Sequence, residues 1–257
     1  MNLYQHFRKE EHAFIDQVLE WKQTVENQYS PKLTDFLDPR EQEIVKQVIG
    51  TNGEILVDFF GGKEGLERKR ALLYPTYFEP NEEDYNLAFF EVKYPVKFVT
   101  VDHRKVLGSL MSLGLKRAKF GDILTQGERI QIVVAKEIGD YVRMNLTAVG
   151  KATISLSEIM SNDLLEVNEE WTEQTVTVSS LRLDVVLSSI LNLSRQKVQV
   201  LIENGLVKVN WKKIEQTSFE CKETDVLSVR GFGRSKLHSI EGKTKKEKWR
   251  IIVGRQK

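Results

Sequence analysis

One stretch, LSRQKVQVLIENGLVKVN (193–210), constrains the fold more than any other part of the chain. Ser194 is a residue type that caps helices, and it precedes a run with helical spacing. Gly205 suits the left-handed conformation in which many helices end, and Val207-Lys208-Val209 then alternates as a strand does. The stretch therefore predicts a capped helix, a tight turn and a short strand. The inner face of the helix is expected to consist of Val198, Leu201 and Ile202.

The flanking segments extend this unit. An apolar stripe with helical spacing predicts a first helix, and its members are Leu183, Val186, Leu187, Ile190 and Leu191. Residues 226–229 (VLSV) predict a returning strand. Two helices packed on a small sheet would bury these apolar positions together, so the sequence predicts a compact module here.

Charge is distributed unevenly along the chain. Residues 181–257 contain 17 Lys and Arg against 8 Asp and Glu, whereas residues 1–180 contain 21 against 29. A basic segment of this kind points to a polyanion as the partner. The alternative is a solvated basic tail that keeps the protein in solution.

Arg195 directly follows the predicted cap. The start of a helix offers free N–H groups and a positive dipole, and a guanidinium there adds a two-pronged phosphate contact. We expect the cations of this module to converge on one polyanion-binding surface beside the capped helix. These candidates are Arg182, Arg195, Lys197, Lys208, Lys212, Lys213, Arg234 and Lys236.

The upstream sequence predicts a mixture of helices and strands. Residues 1–80 are read as a small α/β domain, 81–165 as a central α+β sheet domain and 166–180 as a linker that ends in a short strand. Residues 181–257 form the last domain with its basic tail. The expected elements upstream are helices at 4–28, 39–49, 102–114 and near 140–148, and strands at 54–60, 71–80, 87–92, 96–101, 129–135 and 151–156. Asp38 is expected to cap the second of these helices, with Pro39 in its first turn.

Three further basic runs are candidates with an equally simple structural explanation. In GLKRAKFGDI (114–123), Lys116, Arg117 and Lys119 would hold RNA backbone, or else Gly114 ends a helix, Phe120 lies in the core and Gly121-Asp122 turns. Arg68-Lys69-Arg70 is a weaker candidate of the same kind. At 241–257, RNA backbone contact or a solvated last strand would explain Lys243, Lys245, Lys246, Lys248 and Arg250 around Trp249.

Several classes of protein are not expected. No stretch approaches the 18 apolar residues of a membrane span, and the first residues lack the apolar core of a signal peptide. Cys221 is the single cysteine, and no histidine has the spacing of a ligand or a catalyst. We therefore expect no metal, no cofactor, no membrane partner and a cytoplasmic, monomeric protein.

The module at 181–230 resembles the RNA-binding domain first described in ribosomal protein S4 (hereafter the S4 domain). The resemblance is carried by Arg182-Leu183-Asp184, then Ser-Arg-x-x-Val-x-x-Leu-Ile-x-x-Gly-x-Val-x-Val-Asn (194–210), then Asp225-Val226. Two positions depart from it, since Trp211 and Thr224 stand where the family usually has glycine. Both lie in predicted turns, so they bear on turn conformation more than on the helices. Trp211 would either stack on a base or pack in the core.

ERKRALLYPTYFEP (67–80), HRKVLGSLMSLGLKRAKFGDI (103–123) and TVSSLRLD (177–184) are similar to the YlmH family of bacterial proteins. This resemblance covers essentially the whole chain. It implies an α+β protein with a small N-terminal domain, a central sheet domain like an RNA-recognition motif and a C-terminal S4 domain. It also implies large-subunit ribosomal RNA and tRNA or peptidyl-tRNA as partners, other ribosome-rescue factors beside them, and a link to cell-division gene clusters.

Enzymes that carry S4 domains provide the alternatives. In pseudouridine synthases an Arg-Leu-Asp supplies the catalytic aspartate, but Asp184 opens the S4 helix itself and fewer than 80 residues follow it. We read Asp184 as a helix-start residue or as the partner of a nearby arginine. Lys119-Phe120-Gly121-Asp122 has an acid where a tyrosyl-tRNA synthetase loop has its second lysine. No catalytic residue is predicted; an RNA-modifying enzyme with its site in residues 1–160 and a division-associated adaptor remain the alternatives.

Overall fold

A computed structural model describes residues 3–7, 9–51, 53–166, 171–244 and 246–256. The fold is α+β, as expected, with helices, strands and several separate sheets. The chain divides into two compact units, Met1–Val167 and Asn168–Lys257. The first unit therefore contains both segments that the sequence divides near residue 81. Within the described residues, no helix is long and apolar enough to cross a membrane.

In the first unit, α1 and α2 pack on an antiparallel sheet of order β1-β3-β2. In chain order these elements are α1 (His12–Gln28), β1 (Lys32–Leu37), α2 (Pro39–Ile49), β2 (Ile55–Phe60) and β3 (Lys69–Pro75). The predicted start of α2 is confirmed, because the Asp38 side chain accepts a hydrogen bond from Glu41 N and the Glu41 side chain accepts one from Asp38 N. Gly50 ends the helix with φ +75°.

The same unit holds a second antiparallel sheet of order β5-β6-β4-β9, together with a short hairpin of β7 and β8. Its elements are β4 (Leu87–Lys93), α3 (His103–Ser112), β5 (Phe120–Gln126), β6 (Arg129–Ala135), α4 (Lys136–Asn145), β7 (Ala148–Val149), β8 (Ala152–Thr153) and β9 (Ser155–Ile159). The strand expected at 96–101 is wrong. A turn at Pro95, whose carbonyl accepts from Phe98 N, replaces it and leaves the Phe98 side chain 87% exposed.

The turn expected at Gly121-Asp122 is also wrong, since both residues lie in β5. Phe120 is buried, as the structural reading expects. A Cβ atom on Gly121 would lie 2.8 Å from Phe36 Cε1, so glycine lets β5 pack closely against β1. One buried cluster joins the two sheets of this unit; it consists of Phe36, Leu66, Leu124, Val133, Ala135, Leu164 and Leu165.

The second unit is a six-stranded antiparallel sheet of order β10-β15-β14-β13-β11-β12 with two helices. Its elements are β10 (Trp171–Val178), α5 (Leu183–Leu191), α6 (Arg195–Glu203), β11 (Val207–Val209), β12 (Lys212–Lys213), β13 (Val226–Val229), β14 (Gly233–Lys243) and β15 (Trp249–Gln256). Most of the predicted linker is therefore strand β10, which pairs with β15 along its whole length. Residues 167–170 of that linker lie outside the described residues.

We call the two sides of this sheet the helix face and the open face. The helix face packs against α5 and α6, and its buried residues are Val207, Val209, Leu227, Leu237, Ile251 and Val253. Because successive side chains of a strand point to opposite sides, the residues between these positions project from the open face.

Candidate nucleic-acid interface

Asp184 accepts hydrogen bonds from several side chains around helices α5 and α6 of the second unit. Its carboxylate is completely buried in the first turn of α5. Arg182 donates to it from Nε and Nη2, both at 3.2 Å, and Arg195 donates from Nε at 2.8 Å. Gln199 Nε2 donates at 3.0 Å from one turn further along α6. The reading of Asp184 as the partner of a nearby arginine is confirmed.

These hydrogen bonds control the ionisation of Asp184. Burial on its own raises the pKa, but donation from Arg182, Gln199 and Arg195 outweighs it and lowers the pKa from 3.8 to about 2. One carboxylate between two guanidinium groups leaves one positive charge in excess. We call Arg182 and Arg195 the arginine pair.

The arginine pair is held in place and yet faces solvent. The side chains of Arg182 and Arg195 are 39% and 53% exposed although both contact a buried carboxylate. Arg195 uses only Nε, and its Nη atoms have no protein partner among the described residues. This leaves the outer edge of a guanidinium available to donate hydrogen bonds to two phosphate oxygens.

Helix α6 supports this position as predicted. The Ser194 side chain accepts from Lys197 N at 3.3 Å, and Gly205 has φ +66° just beyond the helix. Arg195 therefore stands on the first turn of a capped helix, next to its positive dipole. Lys197 is exposed on the same turn.

Lys208, Arg234 and Lys236 do not join the arginine pair. Lys208 lies between Val207 and Val209, which pack on the helices, so it projects from the open face. Arg234 and Lys236 flank buried Ser235 and project from the same face. The expectation of a single converging surface is wrong, because the strand alternation puts these cations on the opposite side of the sheet.

The two lysines of β12 differ from each other. Lys212 lies opposite Val209 and therefore points to the helix side, whereas Lys213 lies opposite Lys208. Lys213 Nζ pairs with Glu215 at 2.6 Å, and its aliphatic chain passes beside Gly205.

The turn between β11 and β12 keeps its geometry without glycine. Asn210 and Trp211 have φ +49° and +62°, the two positive values of a type I′ hairpin turn. Asn210 Nδ2 donates to Asp225 Oδ1 at 2.8 Å, and Asn210 Oδ1 accepts from Val226 N at 2.8 Å. Trp211 is half-buried, and Arg234 Cζ lies 5.8 Å from its ring centroid.

In the first unit, Arg117 and Lys119 contact protein groups. Arg117 Nη1 donates to the carbonyl oxygens of Phe120 and Gly121, and burial together with nearby Arg68 lowers its pKa to about 10. Lys119 Nζ binds Asp35 at 2.5 Å and Glu137 at 3.0 Å. These contacts support the structural reading of both residues, while Lys116 remains exposed.

The Arg68-Lys69-Arg70 run is also used within the first unit. Arg68 donates to the carbonyl oxygens of Phe120 and Phe36. Arg70 is buried, donates to Thr34 O at 2.7 Å and pairs with Glu137 at 3.1 Å. These guanidinium groups join β1, β3 and the second sheet.

No group of three or more His, Cys, Asp and Glu residues that could hold a metal is present in the described part of the chain. Cys221 is buried, and burial raises the pKa of its thiol to about 12. A thiol in this state is a poor nucleophile.

Two parts of the chain match models of known families. Residues 80–163 match a model described as a putative RNA-binding domain in YlmH. Residues 181–227 match the S4 domain. The second match contains Asp184 and the arginine pair, and it ends before β14 begins.

One relative matches over the full length. The "Ribosome-associated protein quality control protein P2" of Bacillus subtilis (strain 168) is 53% identical over 256 residues, which cover 100% of this chain and 99% of that protein. An uncharacterized RNA pseudouridine synthase of Mycoplasma pneumoniae is 47% identical, but over only 58 residues, 22% of this chain and 19% of that protein.

A solved structure is similar as well. The "Cell division protein ylmH from Streptococcus pneumoniae" is 34% identical and superimposes with a TM-score of 0.56. The match covers 63% of this chain and 99% of that one.

Proposed function

This chain belongs to the YlmH family, and on that premise we propose that it is a non-enzymatic RNA-binding protein that docks on the large ribosomal subunit. In this proposal it contacts ribosomal RNA and tRNA or peptidyl-tRNA during quality control of stalled ribosomes. It would work in the cytoplasm as a monomer beside other rescue factors.

The observation that carries the proposal is the arginine pair around Asp184. Two guanidinium groups fixed by a buried carboxylate present donors to solvent at the start of a capped helix. Preoriented donors of this kind suit phosphate oxygens, and they lose little side-chain freedom on binding. Basic groups would position the protein while the shape of a structured RNA selects the site.

The enzymatic alternative has weaker support. Similarity to a pseudouridine synthase covers 22% of the chain. Asp184, the aspartate in the matching Arg-Leu-Asp, is buried and occupied by three donors. A catalytic carboxylate must reach its substrate, and this one serves the arginines instead.

Cosedimentation with large ribosomal subunits tests the proposal. Removal of the Arg195 side chain in Arg195→Ala should cost roughly 1–3 kcal/mol of RNA binding, because a charge-assisted phosphate contact is lost. That corresponds to about a 5- to 150-fold weaker affinity. The melting temperature should fall moderately, since buried Asp184 loses one of its three donors and keeps Arg182 and Gln199.

Two controls sharpen this experiment. Arg195→Lys retains the charge without the planar fork and should bind between wild type and Arg195→Ala. Lys22→Ala removes one positive charge from α1 and should bind as wild type does. Undiminished affinity of a folded Arg195→Ala variant would remove the arginine pair from the site.

A second measurement addresses catalysis. Nucleosides of ribosomal RNA and tRNA from cells with and without the protein are compared by mass mapping. The proposal expects identical modification patterns, and a modification that depends on the protein would favour the enzyme.

A further inference from the structure

The β14–β15 hairpin forms a basic groove outside both matched segments. It is an open groove of about 690 Å³ on the second unit. Its lining includes Thr177 of β10 and five charged side chains of the hairpin, which are Glu241, Lys243, Lys246, Lys248 and Arg250. We call it the hairpin groove. Lys245 of the same basic run lies outside the described residues.

Most of the cations in the hairpin groove have no ion-pair partner. The side chains of Lys246, Lys248 and Arg250 are exposed and make no salt bridge within the described residues. Lys243 binds Glu247 at 3.0 Å and lies 5.6 Å from the Trp249 ring centroid. These three cations outnumber Glu241 in the same lining, and the excess of positive charge favours a ligand that carries several negative charges.

The turn of the hairpin is closed by its own hydrogen bonds. Thr244 N donates to Lys248 O at 2.7 Å, and Glu247 N donates to Thr244 O at 2.9 Å. Lys248 N donates to the Thr244 side chain at 3.3 Å. The turn thus fixes the backbone from which Lys246 and Lys248 project.

The floor of the groove is open. Arg250 lies between Thr177 on β10 and Gly242 on β14, so these residues cross three adjacent strands over about 10 Å. A Cβ atom on Gly242 would meet no heavy atom within 4 Å. The groove is therefore wide enough for more than one phosphate group, and glycine lets such a group approach the backbone.

No aromatic side chain is among the described residues that line the groove. Trp249, between Lys248 and Arg250 in the chain, packs against the core and carries Lys243 on its ring. Charge without an available ring or a convergent set of polar side chains fits sugar–phosphate backbone. The contact should therefore be independent of sequence.

The hairpin groove is distinct from the arginine pair. Trp249 and Ile251 pack on the helix face, so Arg250 between them projects from the open face. We propose that the hairpin groove binds the phosphate backbone of RNA as a second contact, which deepens the proposed function and rests on it.

Salt dependence of RNA binding tests this second contact. The full-length triple variant Lys246→Gln, Lys248→Gln, Arg250→Gln is compared with wild type on large ribosomal subunits and on a short RNA duplex. Each lost phosphate contact lowers the slope of log affinity against log salt by about 0.9, so the triple variant should lose about 2 to 3. Lys246→Gln alone should lose about 1.

Charge-matched controls separate the effect of the groove residues from the effect of net charge on RNA binding. Lys22→Gln, Lys32→Gln and Lys97→Gln together remove three positive charges from the first unit and should leave the slope nearly unchanged. A triple groove variant that melts as wild type does and keeps the wild-type slope would overturn the proposal. If the triple variant fails to fold, an unchanged slope for Lys246→Gln overturns it equally.

Two further measurements distinguish a failure of the proposed site from a failure of the hairpin groove. Arg195→Ala that binds as wild type, beside a groove variant with a reduced slope, would contradict the proposed site and leave the hairpin groove standing. The converse result would contradict only the hairpin groove. Polyglutamate of matched charge should compete poorly with RNA, and equal competition would identify the groove as a site for acidic protein and overturn the RNA assignment.

Discussion

At Asp184, three donors from two helices converge on a carboxylate with no exposed surface. The order of the chain explains this geometry, because Arg182 and Asp184 open α5 whereas Arg195 and Gln199 lie one turn apart on α6. Asp184 thus couples the packing of the two helices to the position of two exposed cations. A change at this buried position should affect stability and RNA binding together.

Asp184→Asn tests this coupling through the pH dependence of stability. The folded pKa is lowered from 3.8 to about 2, so the ionised form stabilises the fold above the unfolded pKa. That stabilisation, roughly 2 kcal/mol, is lost as the pH falls from about 4 towards 2. In urea unfolding, the variant should therefore have a lower free energy of unfolding than wild type at neutral pH. The difference between the two should shrink near pH 2.

Tryptophan fluorescence suits this measurement, since Trp171, Trp211 and Trp249 lie in the second unit and only Trp21 lies in the first. Glu203→Gln is the matched control, because that carboxylate is exposed at the end of α6 in the same unit and makes no salt bridge within the described residues. A gap between wild type and Asp184→Asn that does not depend on pH would contradict the role of the charge.

Residue by residue, the sequence predicted one part of the candidate site and missed another. Ser194, Arg195 and Gly205 were identifiable because a cap, a first-turn position and a left-handed end are local features. Gln199 was missed, although it lies four residues after Arg195 and thus on the same helix face. Lys208 was misplaced, yet its two valine neighbours already imply that it points away from the helices they contact.

Two turns of the S4 domain keep a positive φ although glycine is replaced by another residue. Trp211 and Thr224 stand where S4 domains usually have glycine, and both have positive φ, +62° and +71°. The Asn210–Asp225 hydrogen bond and the bond from Lys222 N to Asp225 Oδ2 brace both turns. The surrounding contacts thus hold non-glycine residues in a conformation that side chains disfavour.

Thr224→Gly should stabilise the second unit. Glycine adopts φ +71° without the steric penalty of a Cβ atom, and relief of that penalty should contribute about 1 kcal/mol after its greater unfolded-state entropy is subtracted. Urea unfolding measures the change. Thr217→Gly, at a position without positive φ, should instead destabilise the unit, and a similar effect of both substitutions would contradict the explanation.

Elements were predictable where their periodicity or caps were strong. α2, α3, α6, β4 and β6 lie close to their expected positions. β5 was missed because its residues are buried on both sides, between Phe36 and the core beside α3, so the sequence FGDILTQ lacks alternation. The expected strand at 96–101 has the alternation of a strand, but Pro95 directs the chain into a turn.

At the scale of the whole molecule, packing between segments that are distant in sequence determines how the chain divides into units. Hydrophobic periodicity within a segment does not reveal this packing. The polar segment at 81–84 looks like a domain boundary, yet it forms a short helical turn within the first unit. Phe36, Leu124 and Leu164 share one core although they are far apart in sequence. The resemblance to the YlmH family, by contrast, was confirmed over the full length because it depends on residue identities.

The unequal distribution of charge has a consequence for the rate of RNA association. Residues 1–180 carry an excess of acid, and exposed Glu82 and Glu83 belong to it. Because an RNA polyanion is repelled by these charges, Glu82→Gln with Glu83→Gln should raise the association rate at low salt by roughly twofold. At high salt the Debye length falls to about 3 Å, and the difference should disappear.

Stopped-flow binding to an RNA duplex measures this rate. Glu20→Gln with Glu26→Gln removes the same charge from exposed positions on α1 and should produce a similar rise, because a long-range field depends little on where the charge lies. The dissociation rate should stay unchanged for both pairs, since neither residue pair belongs to the arginine pair or the hairpin groove. A rise confined to Glu82 and Glu83, or one that persists at high salt, would mean that the first unit meets RNA directly at this segment rather than through its field.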